Sequence, residues 1–285
     1  MKLSIIIISY KVKEKLGENL QALFASVCDF DFEVFVVDNR SEDGSAEMIR
    51  TDFPQVKLIA NDQNLGFARA NNQALKENKS EYVLLLNPDM KVETNTLQKM
   101  LDWMDQSNAG IGGCKLLNQQ GKIIKQVRRF PTLSDQLVIV LKLHHFFPSL
   151  LDQYIRSDFD YTRAQQVDSI RGGFMVIKRI TLEKLGLLDE RFFLWFEEVD
   201  YCRRAKEVGI QVWYTPVAEC LDYVGQSFKQ VKTSQTQKYF QDSMLKYFKK
   251  WHPFFAYLLL AIAWPVGRLL ALSGELVGFK KKSRS

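Results

Sequence analysis

Polar residues able to hold a ligand recur directly behind the apolar runs of the amino-terminal part of this chain. Ser9-Tyr10 follows one run and Asp38-Asn39 follows another, continuing into the polar turn Arg40-Ser41-Glu42-Asp43-Gly44-Ser45. Asn61 follows a third, with Asn64-Leu65-Gly66-Phe67 opening a helical segment, and Asn87-Pro88-Asp89 follows a fourth. Carboxylates accept hydrogen bonds from the N–H groups of a nucleobase, amides both donate and accept, and an Asp oxygen suits a hard divalent cation. Each residue alone is also an ordinary turn former or helix cap. Repetition of the pattern points instead to one ligand-binding edge. Farther along, Glu197, Glu198, Asp200, Arg203, Arg204 and Glu207 crowd together. By residue type they make a salt-bridged helix start, acids near its amino end and Asp200–Arg204 spaced i,i+4.

The elements that must position these groups follow from periodicity. Leu3–Ile8 is a short β-branched run suited to a strand buried on both faces; 32–37 and 82–86 share that character, and 56–60 is a weaker version. Helical spacing joins Leu16, Leu20, Leu23, Phe24 and Val27, and recurs over 46–53 and 67–75. Alternating strands and helices predict an α/β fold with a mainly parallel sheet, whose ligands lie beyond the carboxyl ends of the strands. The apolar segment 137–151 is interrupted by Lys142, His144, His145 and Pro148, too broken to span a bilayer. It reads as a core helix in preference to a flap near the substrate.

With 285 residues and 33.1 kDa, the chain accommodates one large α/β domain and an appendage. Four cysteines without CxxC spacing fit reduced, buried thiols, and the first apolar run is too short for a secretory signal, so the bulk of the chain is expected to stay in the cytoplasm. The net charge of +6 owes much to Lys280, Lys281, Lys282 and Arg284, a basic end better matched to anionic lipid than to nucleic acid. Ahead of it, 253–267 is free of charge, then Arg268 and Glu275 interrupt the apolar sequence. This pattern predicts an interfacial membrane-associating helix or hairpin, anchored by Trp251, Tyr257 and Trp264, with a homodimer interface as the soluble alternative.

Taken in order, several stretches make the sequence resemble the family 2 glycosyltransferases of the GT-A (Rossmann-like) fold, and among them the bacterial rhamnosyltransferase-like branch. They are 4–10, Val36-Val37-Asp38-Asn39 with Ser41, Asp43, Gly44 and Ser45, and Asn64-Leu65-Gly66-Phe67 with Asn71-Asn72. Leu84-Leu85-Leu86-Asn87-Pro88-Asp89, Gly172-Gly173-Phe174-Met175, 188–193 and Phe196-Glu197-Glu198-Val199-Asp200 complete the set. The resemblance implies a catalytic domain over 1–228, and the apolar and basic pattern behind it predicts a helical, membrane-associating extension over 229–285. It implies a donor-nucleotide site built from Ser9, Tyr10, Asp38, Asn39, Asn64, Gly66, Asn71 and Asn87, with Asp38 accepting from the base.

Asp89 occupies the last position of the family's DxD motif, where an acid holds Mg²⁺ or Mn²⁺ against the donor diphosphate. Glu198 takes the place of the catalytic Asp, with Glu197 as the other candidate base. Asp222 stands where many relatives carry His and becomes a second expected metal ligand. Asp189 and Trp195 are expected near the acceptor or sugar. The implied reaction is inverting transfer of a sugar, rhamnose among the candidates, from a dTDP- or UDP-sugar to a lipid-linked glycan at the cytoplasmic face of the inner membrane. The competing readings are a non-catalytic nucleotide-sugar-binding or scaffolding subunit and a nucleotidylyltransferase. The latter usually carries a Gly-rich basic loop after the first strand, which 9–13 is not.

Overall fold

The computed structural model describes residues 1–223 and 233–276. Its first strand, β1 (Leu3–Ser9), is buried along its whole length, as a β-branched run between two neighbours should be. On one side it pairs in parallel with β2 (Phe32–Asp38), which in turn pairs in parallel with β3 (Lys57–Ala60). On the other it pairs in parallel with β4 (Tyr82–Leu86). The two-residue period of the strand sends Ile5 and Ile7 into one core and Ile6 and Ile8 into another.

The first core is closed by α1 (Lys13–Phe24), α2 (Ser45–Asp52) and α4 (Thr96–Gln106), through Leu16, Leu20, Ile49, Met100 and Met104. The second is closed by α3 (Phe67–Glu77), α6 (Arg179–Leu185) and α7 (Glu197–Glu207), through Ala70, Ala74, Leu182, Tyr201 and Ala205. The result is a sheet with helices on both faces. Val27, expected on the first helix, lies beyond its end and is exposed, because α1 stops at Phe24.

Beyond β4 the sheet departs from the mainly parallel arrangement expected. The remaining strands are β5 (Met90–Val92), β6 (Ala109–Leu117), β7 (Gln165–Gln166), β8 (Phe174–Lys178) and β9 (Gln211–Asp222). The order is β3-β2-β1-β4-β8-β6-β9-β5, with β7 on β9. β8 runs antiparallel to both β4 and β6, β5 and β7 run antiparallel to β9, and only β6–β9 is again parallel. The sheet is therefore mixed. Parallel strands need regular crossover helices, and that regularity holds only through β4.

The segment expected as a core helix over 137–151 is core only at its start. α5 (Leu133–Val140) opens with a Thr132–Asp135 capping box and buries Val140. After it, two short 3₁₀ turns leave Leu143, Phe146, Phe147 and Leu150 exposed. Lys142 and Pro148 break the apolar spacing there.

Two further helices, α8 (Thr233–Trp251) and α9 (Phe254–Leu276), build a third core. Met244, Tyr247, Phe248, Ala256, Leu260 and Trp264 join Val140, Phe192 and Phe196 in it. The three aromatics expected as membrane anchors turn inward. Trp264 and Tyr257 pack in this cluster, and the Trp251 indole donates to Asp200 at 2.7 Å. The outward face of α9 instead carries Phe254, Phe255, Leu258, Leu259, Ile262 and Val266. Among the described residues, no helix is long and apolar enough to cross a membrane. The expected boundary at 228, residues 224–227 of the loop holding Asp222, and the basic end 280–285 lie outside the described residues.

Candidate active site

The carboxyl ends of β1, β2 and β4 open onto a cleft of about 160 Å³. Ile8, Tyr10, Asn39, Asn64, Gly66, Asn87 and Asp89 line one wall; Arg171, Phe193, Trp195, Glu197 and Glu198 line the other. Of the residues expected at the donor site, Ser9, Asp38 and Asn71 are buried behind this surface.

The first wall is set by hydrogen bonds between loops. Asn39 donates through Nδ2 to the Gly66 carbonyl at 3.1 Å, and its Oδ1 accepts from Asn61 at 3.0 Å. Asn64 Oδ1 accepts from the Gly66 N–H at 2.9 Å, and the Phe67 N–H donates to the Phe193 carbonyl at 2.7 Å. Gly66 has φ +78°, and any Cβ there would run into that same Phe193 carbonyl. Asn39, Asn64 and Gly66 thus fix the backbone, and the first loop is locked to the second wall. Asn71 donates to the Phe67 carbonyl, and Asn72 clamps the backbone of Leu188 through both its amide groups. Asp38 accepts from the Ser41 N–H through Oδ2 at 3.1 Å. Among the described residues, Asp38 Oδ1, Ser9 Oγ and Asn71 Oδ1 are buried without a hydrogen-bond partner. A buried orphan acceptor costs about 1–3 kcal/mol, so such atoms mark where a ligand or water completes the structure.

The second wall carries the charge. Trp195 and Phe196 enter α7 with φ of +63° and +66°. Bulky residues rarely occupy this left-handed region, and two in succession store strain at the point where α7 begins. Glu197 and Glu198 follow at once. Each keeps an Oε2 buried without a partner among the described residues. Burial pushes both carboxyl pKa values up, and the charge of Glu198 raises Glu197 further. Backbone N–H groups at the helix start and the nearby Arg171 guanidinium restrain the rise at Glu198. Gly172 permits this proximity, since a Cβ on it would stand 3.2 Å from Glu198 Cβ.

Asp200, one turn away, behaves differently. Fully buried, it accepts from Arg204 Nε at 3.1 Å, Lys250 Nζ at 2.6 Å and Trp251 Nε1 at 2.7 Å. The salt-bridged helix start expected from residue types is real for Asp200–Arg204 and does not extend to Glu197 and Glu198. Asp189, expected near the acceptor or sugar, is not among the residues lining the cleft. Arg191 and Lys250 hold its carboxylate and push its pKa well below the usual range.

For a divalent cation, the described residues offer no cluster of three or more acidic, His or Cys side chains. Asp89 lines the cleft. Asp222 is a neighbour across the β5–β9 pairing, but its carboxylate is engaged by Arg171 Nη1 at 2.7 Å. One carboxylate fits a Mg²⁺-type ion whose remaining ligands are substrate phosphates and water.

A strained turn, two adjacent acids of raised pKa and a strand-end cleft are together the features of a candidate acid–base site. Residues 4–175 match the family described as Glycosyl transferase family 2. The chain belongs to that family. It is a nucleotide-sugar-dependent glycosyltransferase. One relative is the low-salt glycan biosynthesis hexosyltransferase Agl10 of Haloferax volcanii, 27% identical over 77% of this chain and 66% of that protein. Another is the N-acetylglucosaminyl-diphospho-decaprenol L-rhamnosyltransferase of Mycobacterium tuberculosis, 24% identical over 74% of each chain. The mannosyltransferase PcManGT of Pyrobaculum calidifontis, solved with GDP-Man and Mn²⁺, shares the fold. Its TM-score is 0.58 at 18% identity, covering 97% of this chain and 76% of that one.

Several residues of this glycosyltransferase site escaped sequence reasoning. Arg171 had no signal beyond its place before Gly172-Gly173. Phe193 and Tyr239 stack with ring centroids 4.3 Å apart where α8 meets the cleft, and Lys250 reaches Asp189 and Asp200 from the end of α8. Sequence separation hides such contacts.

Proposed function

We propose that this protein is an inverting transferase that moves a sugar from a nucleoside diphosphate to a hydroxyl of a lipid-linked glycan. The observation that carries the reading is Glu198, a half-buried carboxylate lining the cleft, with its Oε2 buried and unpartnered among the described residues and its pKa raised. A base of this kind takes the proton of the acceptor hydroxyl as its oxygen bonds to the anomeric carbon. The bond from that carbon to the donor phosphate oxygen breaks, and the nucleoside diphosphate leaves with the electron pair. Glu197 is the alternative base on the same turn.

Asp38 accepts from the donor base, with Tyr10 and Asn87 beside the nucleotide. Asp89 would hold Mg²⁺ or Mn²⁺, which when bound neutralises charge on the leaving diphosphate. Trp195 faces the sugar or acceptor. The donor is a dTDP- or UDP-sugar, and the rhamnosyltransferase relative, named for a diphospho-decaprenol acceptor, supports rhamnose as the sugar and a lipid-linked acceptor. Apolar side chains along the exposed face of α9, followed in sequence by Lys280, Lys281, Lys282 and Arg284, support docking on the cytoplasmic face of the membrane.

The test is a donor screen on detergent-solubilised protein. Nucleoside diphosphate release is followed for each nucleotide sugar, with and without Mg²⁺ or Mn²⁺, using a membrane lipid extract as acceptor. Metal-stimulated release with one donor, lost in Glu198→Gln, supports the reading. Donor binding without turnover, while a working relative turns over in the same extract, replaces it with a non-catalytic nucleotide-sugar-binding role.

A further inference from the structure

A nucleoside diphosphate entering this cleft meets three lining carboxylates, Asp89, Glu197 and Glu198, and a single lining cation among the described residues, Arg171. The Arg171 side chain is 30% exposed, within reach of a ligand, while the Asp222 carboxylate beneath it is 1% exposed. The guanidinium donates from Nη1 to Asp222 Oδ2 at 2.7 Å. A guanidinium has five N–H donors in a planar fork matched to phosphate oxygens, and this contact occupies one. The segment is fixed on both sides. Gly172 lies against Glu198, and Gly173, without a Cβ, packs against Asn87 and Met90, with its carbonyl accepting the Asn87 N–H at 2.9 Å.

We infer that Arg171, held in place by Asp222, is the cation that binds the diphosphate of the donor, and that Asp222 serves as its anchor and not as a metal ligand. The inference rests on the transferase reading for the identity of the ligand. Its physical ground is that an anion does not enter an acid-lined, partly dehydrated cleft without a fixed positive partner. Because Arg171 is covalently part of the chain, a share of the diphosphate affinity persists without metal.

The experiment is calorimetric titration of the full chain in EDTA with UDP and dTDP, and with uridine and thymidine as the matching nucleosides. The wild type is expected to bind one diphosphate about ten-fold or more tightly than its nucleoside. In Arg171→Met that advantage falls to within about three-fold, and Arg171→Lys lies between because it keeps the charge and loses the fork. Arg171→Met takes from the buried Asp222 carboxylate its ion pair with Arg171, so the double variant Arg171→Met/Asp222→Asn is titrated alongside. It is expected to fold and to bind as weakly as the single variant. An undiminished diphosphate advantage in either folded Met variant overturns the assignment, as does a wild type with no metal-free advantage. A wild type that binds the diphosphate through Arg171, yet releases none from any nucleotide sugar, sinks the transferase reading and leaves this one standing.

Discussion

Along the parallel strands, the cleft wall is built from side chains that spend most of their hydrogen bonds on one another. Asn39 ties Gly66 and Asn61 together, and Asn64 caps its own turn. Across the cleft, Glu197 and the half-buried Glu198 each hold an Oε2 buried and unpartnered among the described residues, behind two aromatic residues in left-handed backbone. The first wall is consistent with folding energetics and leaves only a few atoms, such as Asp38 Oδ1, for a ligand. The second departs from them where the proposed transfer needs a proton acceptor. Asp200 supplies an internal control. It lies one turn along the same helix and is more deeply buried than either glutamate, but three donors satisfy it. Burial of an acid therefore does not by itself set Glu197 and Glu198 apart; an oxygen left without a partner does.

The sharpest break of this contrast is Glu198→Gln. Turnover is expected to fall about 10²- to 10⁴-fold with donor binding nearly unchanged, read from nucleoside diphosphate release and from titration of the donor. A larger loss in Glu197→Gln would move the base one residue along the helix. Next in size, Asp200→Ala removes the buried acceptor shared by Arg204, Lys250 and Trp251 and is expected to cost about 3–5 kcal/mol in urea unfolding. Its effect is on stability, whereas Glu198→Gln leaves the unfolding midpoint unchanged or raised. Were both variants to lose stability equally, the distinction between a structural and a chemical acid would collapse.

Asn39→Ala tests the first wall. Loss of its bonds to Gly66 and Asn61 is expected to cost about 1–3 kcal/mol and to weaken donor binding, because the 64–67 loop loses its tether. The smallest effect is on pH dependence. A general base must be ionised, so kcat/KM rises with pH through the Glu198 pKa, which burial places above the ordinary carboxylate range. Arg171 lowers that pKa. Arg171→Met should therefore move the acid limb of the profile to higher pH, and a shift to lower pH would count against the proximity of the two charges.

Much of the first wall was legible from residue order. β-branched runs followed by Asn, Asp and Gly mark strand ends, and parallel pairing brings those ends to one edge of the sheet. Less of the second wall was legible. Glu197 and Glu198 were found through family resemblance, since by residue type they match the salt-bridged start that Asp200 in fact makes. Asp222 was singled out while its partner Arg171, 51 residues away, was not. Nor does the sequence show that Asp189 pairs with Lys250, 61 residues away.

The sequence by itself determined the alternation of strands and helices through β4, the polar strand endings and the family, because these depend on local periodicity and on motif order. Tertiary structure alone decided that the second half of the sheet is mixed, that α8 and α9 bury Trp264 against Phe196 and Val140, and that Arg171 meets Asp222. The physical reason is that local propensity is written residue by residue. Which buried charges find partners depends instead on contacts between segments far apart in the chain, and is settled only when they pack.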